Sequence, residues 1–389
     1  MINIENLIDY LNPVNIDEII DLKRLNINQL GNQIAFYSSQ NTDLTQYNIG
    51  ILGVQSNASN SSLSNSANKV RKELYQLFSW TDNMKVVDLG NVNQGKTVND
   101  TCAALETILQ DLLAQNLFCI IIGDDQDLSY VQYKAYENLD KKINVVVVDE
   151  KIDIDDHFDV ASSNQFYINK ILAHKPSHLF NYLQLAYQSF LVNPYKVELL
   201  RKKSFECYRL GYLLEDMKRL EPMLRNADML SLDISSIKYG DAPGQKNHSP
   251  NGFSAPDMCR IGRYAGLSDT LSSFGFYEYL VDNDTKGLTA QVIAQCIWYF
   301  IGGYYERNTE DPTLYNSDNI RYNVSITDKG EEIVFHKSKR TGRWWMQVPL
   351  VHSEDQPYVL VPCTEEEYKI ACKREIPDRW LQALMKYSQ

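Results

Sequence analysis

INVVVVDE, at residues 143–150, is an apolar run rich in β-branched side chains that ends in two carboxylates. Such a run predicts a strand buried on both faces, which is typical of a parallel sheet covered by helices on both sides. Similar apolar runs occur elsewhere in the chain: YNIGILGV (47–54), KVVDLG (85–90), FCIIIGDD (118–125) and DMLSLDIS (228–235). Amphipathic helical segments, at 102–116 and 130–139, lie between some of these runs. This alternation predicts an α/β fold of three layers, α/β/α, around a mainly parallel sheet.

The last part of the chain has a different pattern. From about residue 319, short strand-like segments alternate with charged turns, among them EEIVFHKS, GRWWMQVPL and YVLVPC. Thr364 followed by Glu367 is a capping-box pattern, which predicts the start of a helix. We therefore predict a helical N-terminal lead-in at 1–45, a main α/β domain at 46–318, and a small antiparallel, β-rich C-terminal extension with a terminal helix at 319–389.

Charge and composition exclude several classes of protein. The chain has 38 Lys and Arg against 50 Asp and Glu, and a formal net charge of −12 argues against nucleic-acid binding. No apolar run reaches the roughly 18 residues of a membrane span, and the acidic start lacks the pattern of a signal peptide. The 7 cysteines form no C-x-x-C pair, which favours buried thiols in a reducing compartment. We expect a cytoplasmic protein.

Carboxylates follow three of the predicted strands, in the segments GDDQD (123–127), DEKID (149–153) and SLDIS (231–235). Because the carboxyl ends of parallel strands meet at one edge of a sheet, we expect Asp149, Asp153 and Asp233 to lie close together. Converging carboxylates are costly unless a cation neutralises them. The sequence therefore predicts a metal ion or a basic side chain among them.

The order of these segments, followed by DAPG (241–244) and by FYEY…TAQVIA (276–294), resembles the ureohydrolase family of arginases, agmatinases and formimidoylglutamases. The resemblance extends over about residues 46–305. It implies an arginase-like fold for the main domain. Members of this family carry the motifs Gly-Gly-x-His, Asp-x-His-x-Asp and Ser-x-Asp-x-Asp, whose side chains hold two manganese ions that activate a bridging hydroxide.

Three positions implied by the resemblance as metal ligands carry other residues. Gln126 stands at the His of the first motif, Lys151 at the His of the second, and Ser235 at the last Asp of the third. The other ligands of the pattern remain as Asp149, Asp153 and Asp233. Without two ions, the pKa of a bridging water is not lowered toward neutrality, which is what hydrolysis in this family requires.

Two functions follow from this pattern. The first is a pseudoenzyme that has lost most of its dinuclear manganese site, holds no cofactor, and acts in binding, scaffolding or regulation. An ammonium group can donate to carboxylates in place of a metal, so we hypothesise that Lys151 pairs with Asp149 and Asp233. The alternative is an active amidine or guanidine C–N hydrolase, formimidoylglutamase-like, with one Mn²⁺ on Asp149, Asp153, Asp233 and the amide of Gln126.

Glu278 and His248 are the candidate ligand contacts. Glu278 matches the position at which the family holds the cationic end of its substrate, so it either binds a guanidinium or an amine or is tied into a structural ion pair. His248 lies in a loop that borders the active site in the family. His157 is not a convincing counterpart of the family's proton-shuttling histidine. His174 and His178 have helical spacing, but a proline between them and the lack of an acidic partner argue against a metal site.

Trp344, Trp345 and Arg343 form the candidate partner contact in the extension. Neighbouring side chains on a strand point to opposite faces, so the two tryptophans cannot both face inward on one regular strand. Trp and Arg are enriched at binding hot spots, which favours a protein contact here. The alternative is that one Trp packs on the main domain and the terminal helix covers the other. The resemblance also implies a homo-oligomer.

Overall fold

The structure is a computed structural model, and it describes residues 7, 9–38, 43–56, 66–81, 83–155, 166–310, 312, 318–326, 331–350 and 357–388. No helix within these ranges combines the length and the apolar content that a membrane span needs. Two sheets form in these ranges, one large and mainly parallel, the other small and antiparallel.

The large sheet has 10 strands in the part of the chain that the structure describes. They are β1 (Leu11–Asn12), β2 (Ala35–Phe36), β3 (Ile49–Val54), β4 (Val86–Val92), β5 (Phe118–Gly123), β6 (Ile143–Val148), β7 (Leu179–Tyr187), β8 (Glu206–Arg209), β9 (Met229–Asp233) and β10 (Ser273–Tyr277). Their order is β1-β4-β3-β5-β10-β9-β6-β7-β8, with β2 also beside β4. Every pairing is parallel except that of β1 with β4.

Helices cover both faces of this sheet. They are α1 (Ile16–Ile19), α2 (Leu30–Gln33), α3 (Ser66–Leu74), α4 (Val98–Ala114), α5 (Leu128–Lys134), α6 (Tyr167–Ala173), α7 (Pro194–Lys202), α8 (Leu210–Glu215), α9 (Leu220–Arg225), α10 (Ala255–Gly266) and α11 (Leu288–Tyr305). The predicted lead-in contributes α1 and α2, and also the two short strands β1 and β2.

The run of valines in β6 explains the three layers. Val146 and Val148 pack into one buried cluster with side chains of α3, α10 and α11. Val145 and Val147 pack into a second cluster, with side chains of α4, α5 and α6. Successive strand residues point to opposite faces, so an unbroken apolar run serves both clusters at once. The predicted fold class is confirmed.

The extension forms a separate antiparallel sheet of β11 (Asn319–Ser325), β12 (Glu332–Ser338), β13 (Trp344–Pro349) and β14 (Tyr358–Cys363), in that order. Two helices follow, α12 (Glu365–Cys372) and α13 (Asp378–Tyr387). The Thr364 side chain accepts a hydrogen bond from the backbone of Glu366, and the Glu367 carboxylate accepts one from the Thr364 backbone at 2.7 Å. The predicted capping box at the start of α12 is therefore confirmed.

Both tryptophans of β13 are buried, so the interpretation that one of them is free for a partner is wrong, and the alternative, that one packs on the main domain and a C-terminal helix covers the other, is confirmed. Trp344 is 5% exposed and stacks on Tyr368 of α12, with ring centroids 4.9 Å apart. Trp345 is 7% exposed and faces the main domain, where the Arg225 guanidinium lies 4.5 Å from its ring. The small sheet is covered on both faces, which is why adjacent residues can both be buried.

Arg343 is also an internal contact rather than a partner contact. Its side chain is 9% exposed, and its Nε lies 3.1 Å from Glu221 of the main domain. Its guanidinium also donates to the Leu267 carbonyl at 3.0 Å. Together, Trp345 and Arg343 attach the extension to the main domain.

Candidate functional site

The carboxyl ends of four adjacent strands carry the residues singled out in the sequence. In the order β5-β10-β9-β6, Phe276 lies beside Ile122, Tyr277 beside Asp233, and Val148 beside Leu232. The residues that follow these strands therefore share one edge of the sheet. We call this set the rim: Gln126, Asp149, Lys151, Asp153, Asp233, Ser235 and Glu278.

Three buried carboxylates of the rim influence one another's ionisation. Burial, followed by the charges of Asp233 and Asp153, raises the pKa of Asp149. Burial, followed by the charge of Glu278, raises the pKa of Asp233 to about 8. Burial also raises the pKa of Asp153, although Lys151 opposes the shift. The rim thus disfavours ionised carboxylates.

Short turns after the strands hold two of these carboxylates in place. Asp149 Oδ1 accepts a hydrogen bond from the Lys151 backbone N–H at 2.9 Å, and Asp233 Oδ1 accepts one from the Ser235 backbone N–H at 2.6 Å. The Ser235 hydroxyl lies 3.5 Å from Asp149 Oδ1. Asp149 Oδ2 is buried and has no hydrogen-bond partner among the residues that the structure describes. A buried acceptor without a partner is costly, so this oxygen is a place where a cation or a donor would be stabilised.

Gln126 turns its amide nitrogen toward two serine hydroxyls. Its Nε2 donates to Ser129 Oγ at 3.1 Å and to Ser231 Oγ at 3.0 Å. The side chain is 5% exposed, and within the described part of the chain Oε1 has no hydrogen-bond partner. Gln126 therefore presents donors to the serines, and its one acceptor atom is unused.

Lys151 does not take the place of a metal, and our hypothesis that it pairs with Asp149 and Asp233 is wrong. Its side chain is 41% exposed, and within the described ranges its ion pair is with Glu150, at 3.7 Å. Only its backbone contacts Asp149. An ammonium buried among the carboxylates would lose its hydration, whereas at the surface it keeps water and a counter-ion. Burial instead favours the protonated carboxyl groups.

Lys246 is the basic residue of the site that the sequence analysis missed. Its Nζ lies 2.9 Å from Glu278 Oε2, while the Gln126 backbone N–H donates to Glu278 Oε1 at 3.3 Å. Burial lowers the pKa of Lys246, but the contact with Glu278 outweighs burial and the pKa is raised overall. The available signal was its place in the loop after DAPG, two residues before His248.

The backbone of Glu278 marks this position as unusual. Its φ of +61° lies in the left-handed region, which side chains other than Gly rarely adopt. Such conformations cluster at functional sites, where the surrounding structure holds them. Of the two readings of Glu278 left open by the sequence, the structure places it in an ion pair, with Lys246.

The loop that carries Lys246 is attached to the rim through Glu150. This carboxylate is 1% exposed and accepts from Asn247 Nδ2 at 2.8 Å and from Gln188 Nε2 at 3.3 Å. His248, the ligand contact expected in this loop, is exposed and packs against the ring of Tyr239, with centroids 4.7 Å apart. The loop therefore reaches the rim through Lys246 and Asn247.

The remaining histidines from the sequence analysis lie elsewhere. The His178 carbonyl accepts from the backbone of Ile143, at the start of β6 and thus at the end opposite Asp149. His174 Nδ1 lies 3.1 Å from the Tyr130 hydroxyl. His157 is outside the described residues. Neither His174 nor His178 contributes to the rim.

The residues of the rim do not fit the pair of manganese ions implied by the resemblance. Metal ligands must offer lone pairs, but Gln126 turns its amide N–H groups to serines, Lys151 is a cation, and Ser235 has a neutral hydroxyl that donates to Asp149 Oδ1 at 3.5 Å. In the ranges that the structure describes, no three His, Cys, Asp or Glu side chains are grouped so as to hold a metal ion. We therefore derive no chemical step through such ions.

Comparison with known proteins supports the resemblance. The family model described as the arginase family matches residues 47–302. A Trypanosoma cruzi formiminoglutamase structure with Mn²⁺ matches with a TM-score of 0.62 and 17% identity, covering 72% of this chain and 99% of that chain. A Bacillus subtilis formimidoylglutamase structure matches with a TM-score of 0.61 and 16% identity, over 72% of this chain and 93% of that chain.

The likeness extends to a third enzyme. The structure of the agmatine ureohydrolase of Thermoplasma volcanium matches with a TM-score of 0.56 and 16% identity, over 73% of this chain and 97% of that chain. No curated protein sequence matches the chain at a significant level. At these identities the structural matches establish a common fold.

Proposed function

The chain belongs to the arginase family, and on that basis we propose that it is a non-catalytic member that binds an organic cation at the rim. The cation is a guanidinium or an amine, recognised through Glu278. The role that follows is ligand binding or regulation rather than hydrolysis. Family membership alone does not decide the activity, so the proposal depends on the residues of the rim.

The observation that carries the proposal is that donors or cations stand at three positions where the family pattern has metal ligands. The Gln126 amide donates to Ser129 and Ser231, Lys151 is a cation beside Glu150, and Ser235 has a neutral hydroxyl, 3.5 Å from Asp149 Oδ1, in place of a carboxylate. A divalent ion is repelled by a cation and gains nothing from a donor. All three changes therefore weaken metal binding in the same direction.

The acidic character of the site supports cation binding. Glu278 is 15% exposed. Burial is the main cause of the raised pKa values of Asp233, Asp153 and Asp125, and the negative charge of Glu278 raises each of them further. A ligand cation would relieve repulsion among these groups, whereas an anion would increase it. The negative charge of the site thus selects positively charged ligands.

A single-metal hydrolase of linear amidines is the second candidate function. One observation favours it, because Asp149 Oδ2 and Gln126 Oε1 are both buried acceptors without a hydrogen-bond partner. One divalent ion held by Asp149, Asp153, Asp233 and Gln126 would satisfy such oxygens. Metal analysis separates the two candidates.

The first test is the manganese content of protein purified without chelator, before and after incubation with excess Mn²⁺ followed by gel filtration. We expect close to none in the wild type. The positive control is the triple variant Gln126→His, Lys151→His, Ser235→Asp, which replaces donors with lone pairs and should retain Mn²⁺. Retention by the wild type, together with Mn²⁺-dependent release of formamide, urea or ammonia from amidines, would establish the second candidate.

The second test is a calorimetric titration with n-butylguanidine. Wild-type protein should bind it saturably, and Glu278→Gln should weaken binding by roughly tenfold, because a charge-assisted hydrogen bond is lost. The control Glu215→Gln removes a carboxylate that is 71% exposed and lies outside the rim, and should bind as the wild type does. Absence of binding to the wild type would contradict the proposal.

A further inference from the structure

We infer that Lys246 is a built-in competitor for the cation site, so that a ligand reaches Glu278 only by displacing the Lys246 ammonium. This inference rests on the proposed function and adds a means of regulating the same site. Both oxygens of Glu278 already have partners, Lys246 on Oε2 at 2.9 Å and the Gln126 N–H on Oε1 at 3.3 Å. The ammonium has the charge that the ligand would bring.

Hydrogen bonds of Gln245 hold the loop on the N-terminal side of Lys246. Gln245 is 0% exposed, and its Nε2 donates to the carbonyls of Ile237 at 3.0 Å and Ala242 at 2.6 Å. The Gln245 carbonyl in turn accepts from Asn283 Nδ2 at 2.9 Å. Gln245, immediately before Lys246, is thus tied to the first part of its own loop and to the segment that follows Glu278.

Hydrogen bonds of Asn247 and Gln188 hold the loop on the C-terminal side of Lys246. Asn247 donates to Glu150 at 2.8 Å, and Gln188 joins Glu150 to the Asn251 carbonyl at 3.2 Å. Lys246 therefore lies between two anchored neighbours, and its side chain points back to Glu278. Because the backbone is held on both sides, the folded loop keeps the base of the Lys246 side chain within reach of Glu278.

Displacement requires little of the rest of the structure. The Lys246 side chain is 64% exposed, while Glu278 is 15% exposed. A lysine with water on most of its surface can swing outward by rotation of its side chain, and the loop backbone stays in place. The carboxylate remains in its pocket. The site thus has a closed form with lysine on Glu278 and an open form with ligand on Glu278.

Lys151, the lysine that belongs to the rim, does not compete with a ligand in this way. Lys151 lies 3.7 Å from Glu150. Glu150 is occupied by Asn247 and Gln188, and it is not the family's ligand-holding position. Removal of Lys246 should therefore strengthen ligand binding through a direct contact and not merely through a change in net charge.

The experiment measures the affinity of n-butylguanidine for the wild type, for Lys246→Gln and for a matched control, Lys238→Gln. Lys238 belongs to the same loop and pairs with Asp241 at 3.4 Å, away from Glu278. Since an exposed ion pair is weak, we expect Lys246→Gln to bind roughly three- to tenfold more tightly than the wild type. Lys238→Gln should stay within about twofold of it.

Each other outcome has a definite meaning. Unchanged or weaker binding by Lys246→Gln, with wild-type binding intact, overturns the competitor role and leaves the proposed function standing. Equal gains in both variants also overturn it, because the cause would then be net charge. No binding by any of the three proteins overturns the proposed function itself. A double variant, Lys246→Gln with Glu278→Gln, must lose the gain if the ligand indeed binds at Glu278.

Discussion

Gln126, Lys151 and Ser235 differ from the family's metal ligands in the direction of their hydrogen bonds. An imidazole or a carboxylate offers a lone pair, whereas the Gln126 amide donates to Ser231, the Lys151 ammonium lies beside Glu150, and the Ser235 hydroxyl donates to Asp149. Burial, followed by the charges of neighbouring carboxylates, raises the pKa values of Asp149 and Asp233, which favours their protonated forms.

Lys386 provides a test of ionisation far from the rim. Burial lowers its pKa to about 8, where it packs over the rings of Phe180 and Phe205 and donates to Asn181. The unfolded chain binds this proton up to a pH of about 10.4, so between these values the unfolded state holds more protons than the folded state. Stability conferred by this group therefore rises with pH across that window.

We expect the wild type to gain about 1–2 kcal/mol in its free energy of unfolding relative to Lys386→Met between pH 7.5 and pH 9.5. Urea unfolding at both pH values measures this. Lys386→Met has a similar volume without the charge, so other titrating groups cancel in the comparison. Parallel pH profiles for the two proteins would mean that Lys386 is already well solvated in the folded state.

The elements of the extension are joined to the main domain by a buried ionic contact. Glu221 of α9 lies 3.1 Å from Arg225 Nη2 and 3.1 Å from Arg343 Nε. Both guanidinium groups are less than 10% exposed, so each depends on this one carboxylate for much of its compensation. Strand β13 contributes Trp345 to the same junction, stacked on Arg225.

Glu221→Gln should destabilise the protein by roughly 3 kcal/mol, because it removes the counter-charge of buried Arg225 and leaves buried Arg343 with the more distant Asp269, at 4.0 Å. Urea unfolding followed by tryptophan fluorescence suits this test, because Trp345 reports on the junction. The control Glu198→Gln breaks an exposed pair with Lys202 in α7 and should leave the free energy of unfolding unchanged within error. Equal effects of the two substitutions would argue that the junction does not depend on charge.

The molecule as a whole combines an arginase-family domain with a C-terminal extension. The sheet of the extension packs against its own helix and against the main domain. Within the described residues, Trp344 and Trp345, on which the prediction of a partner contact was based, are buried in these internal contacts. A protein partner, a homo-oligomer and a cytoplasmic location stay predictions. The absence of nucleic-acid binding, expected from a net charge of −12, also stays a prediction.

The thermal stability of the whole chain should not depend on divalent metal. An ion that binds only the folded state raises the melting temperature, and its removal lowers it. We expect EDTA to leave the wild-type melting temperature unchanged in differential scanning calorimetry. The triple variant Gln126→His, Lys151→His, Ser235→Asp is the matched comparison, since it should lose stability on chelation. A fall for the wild type would indicate a bound ion.

Local patterns in the sequence were sufficient for the layers of the fold, the edge that carries the carboxylates and the capping box at Thr364. The alternation of Val145 to Val148 between two faces follows from strand geometry, and parallel strands bring Asp149 and Asp233 to one edge. Each of these conclusions depends on neighbours in the chain or on the direction of a strand. Such information is present in a single sequence.

The partners of the charged side chains depended on the tertiary structure. Lys246 meets Glu278 across about 30 positions of chain because Gln245 and Asn247 anchor its loop, and Lys151 turns to Glu150 because water stabilises it there. Trp344 and Trp345 are both buried because separate elements cover the two faces of a small sheet. Ion pairs and burial are set by distances between remote segments, which periodicity and motif spacing do not contain.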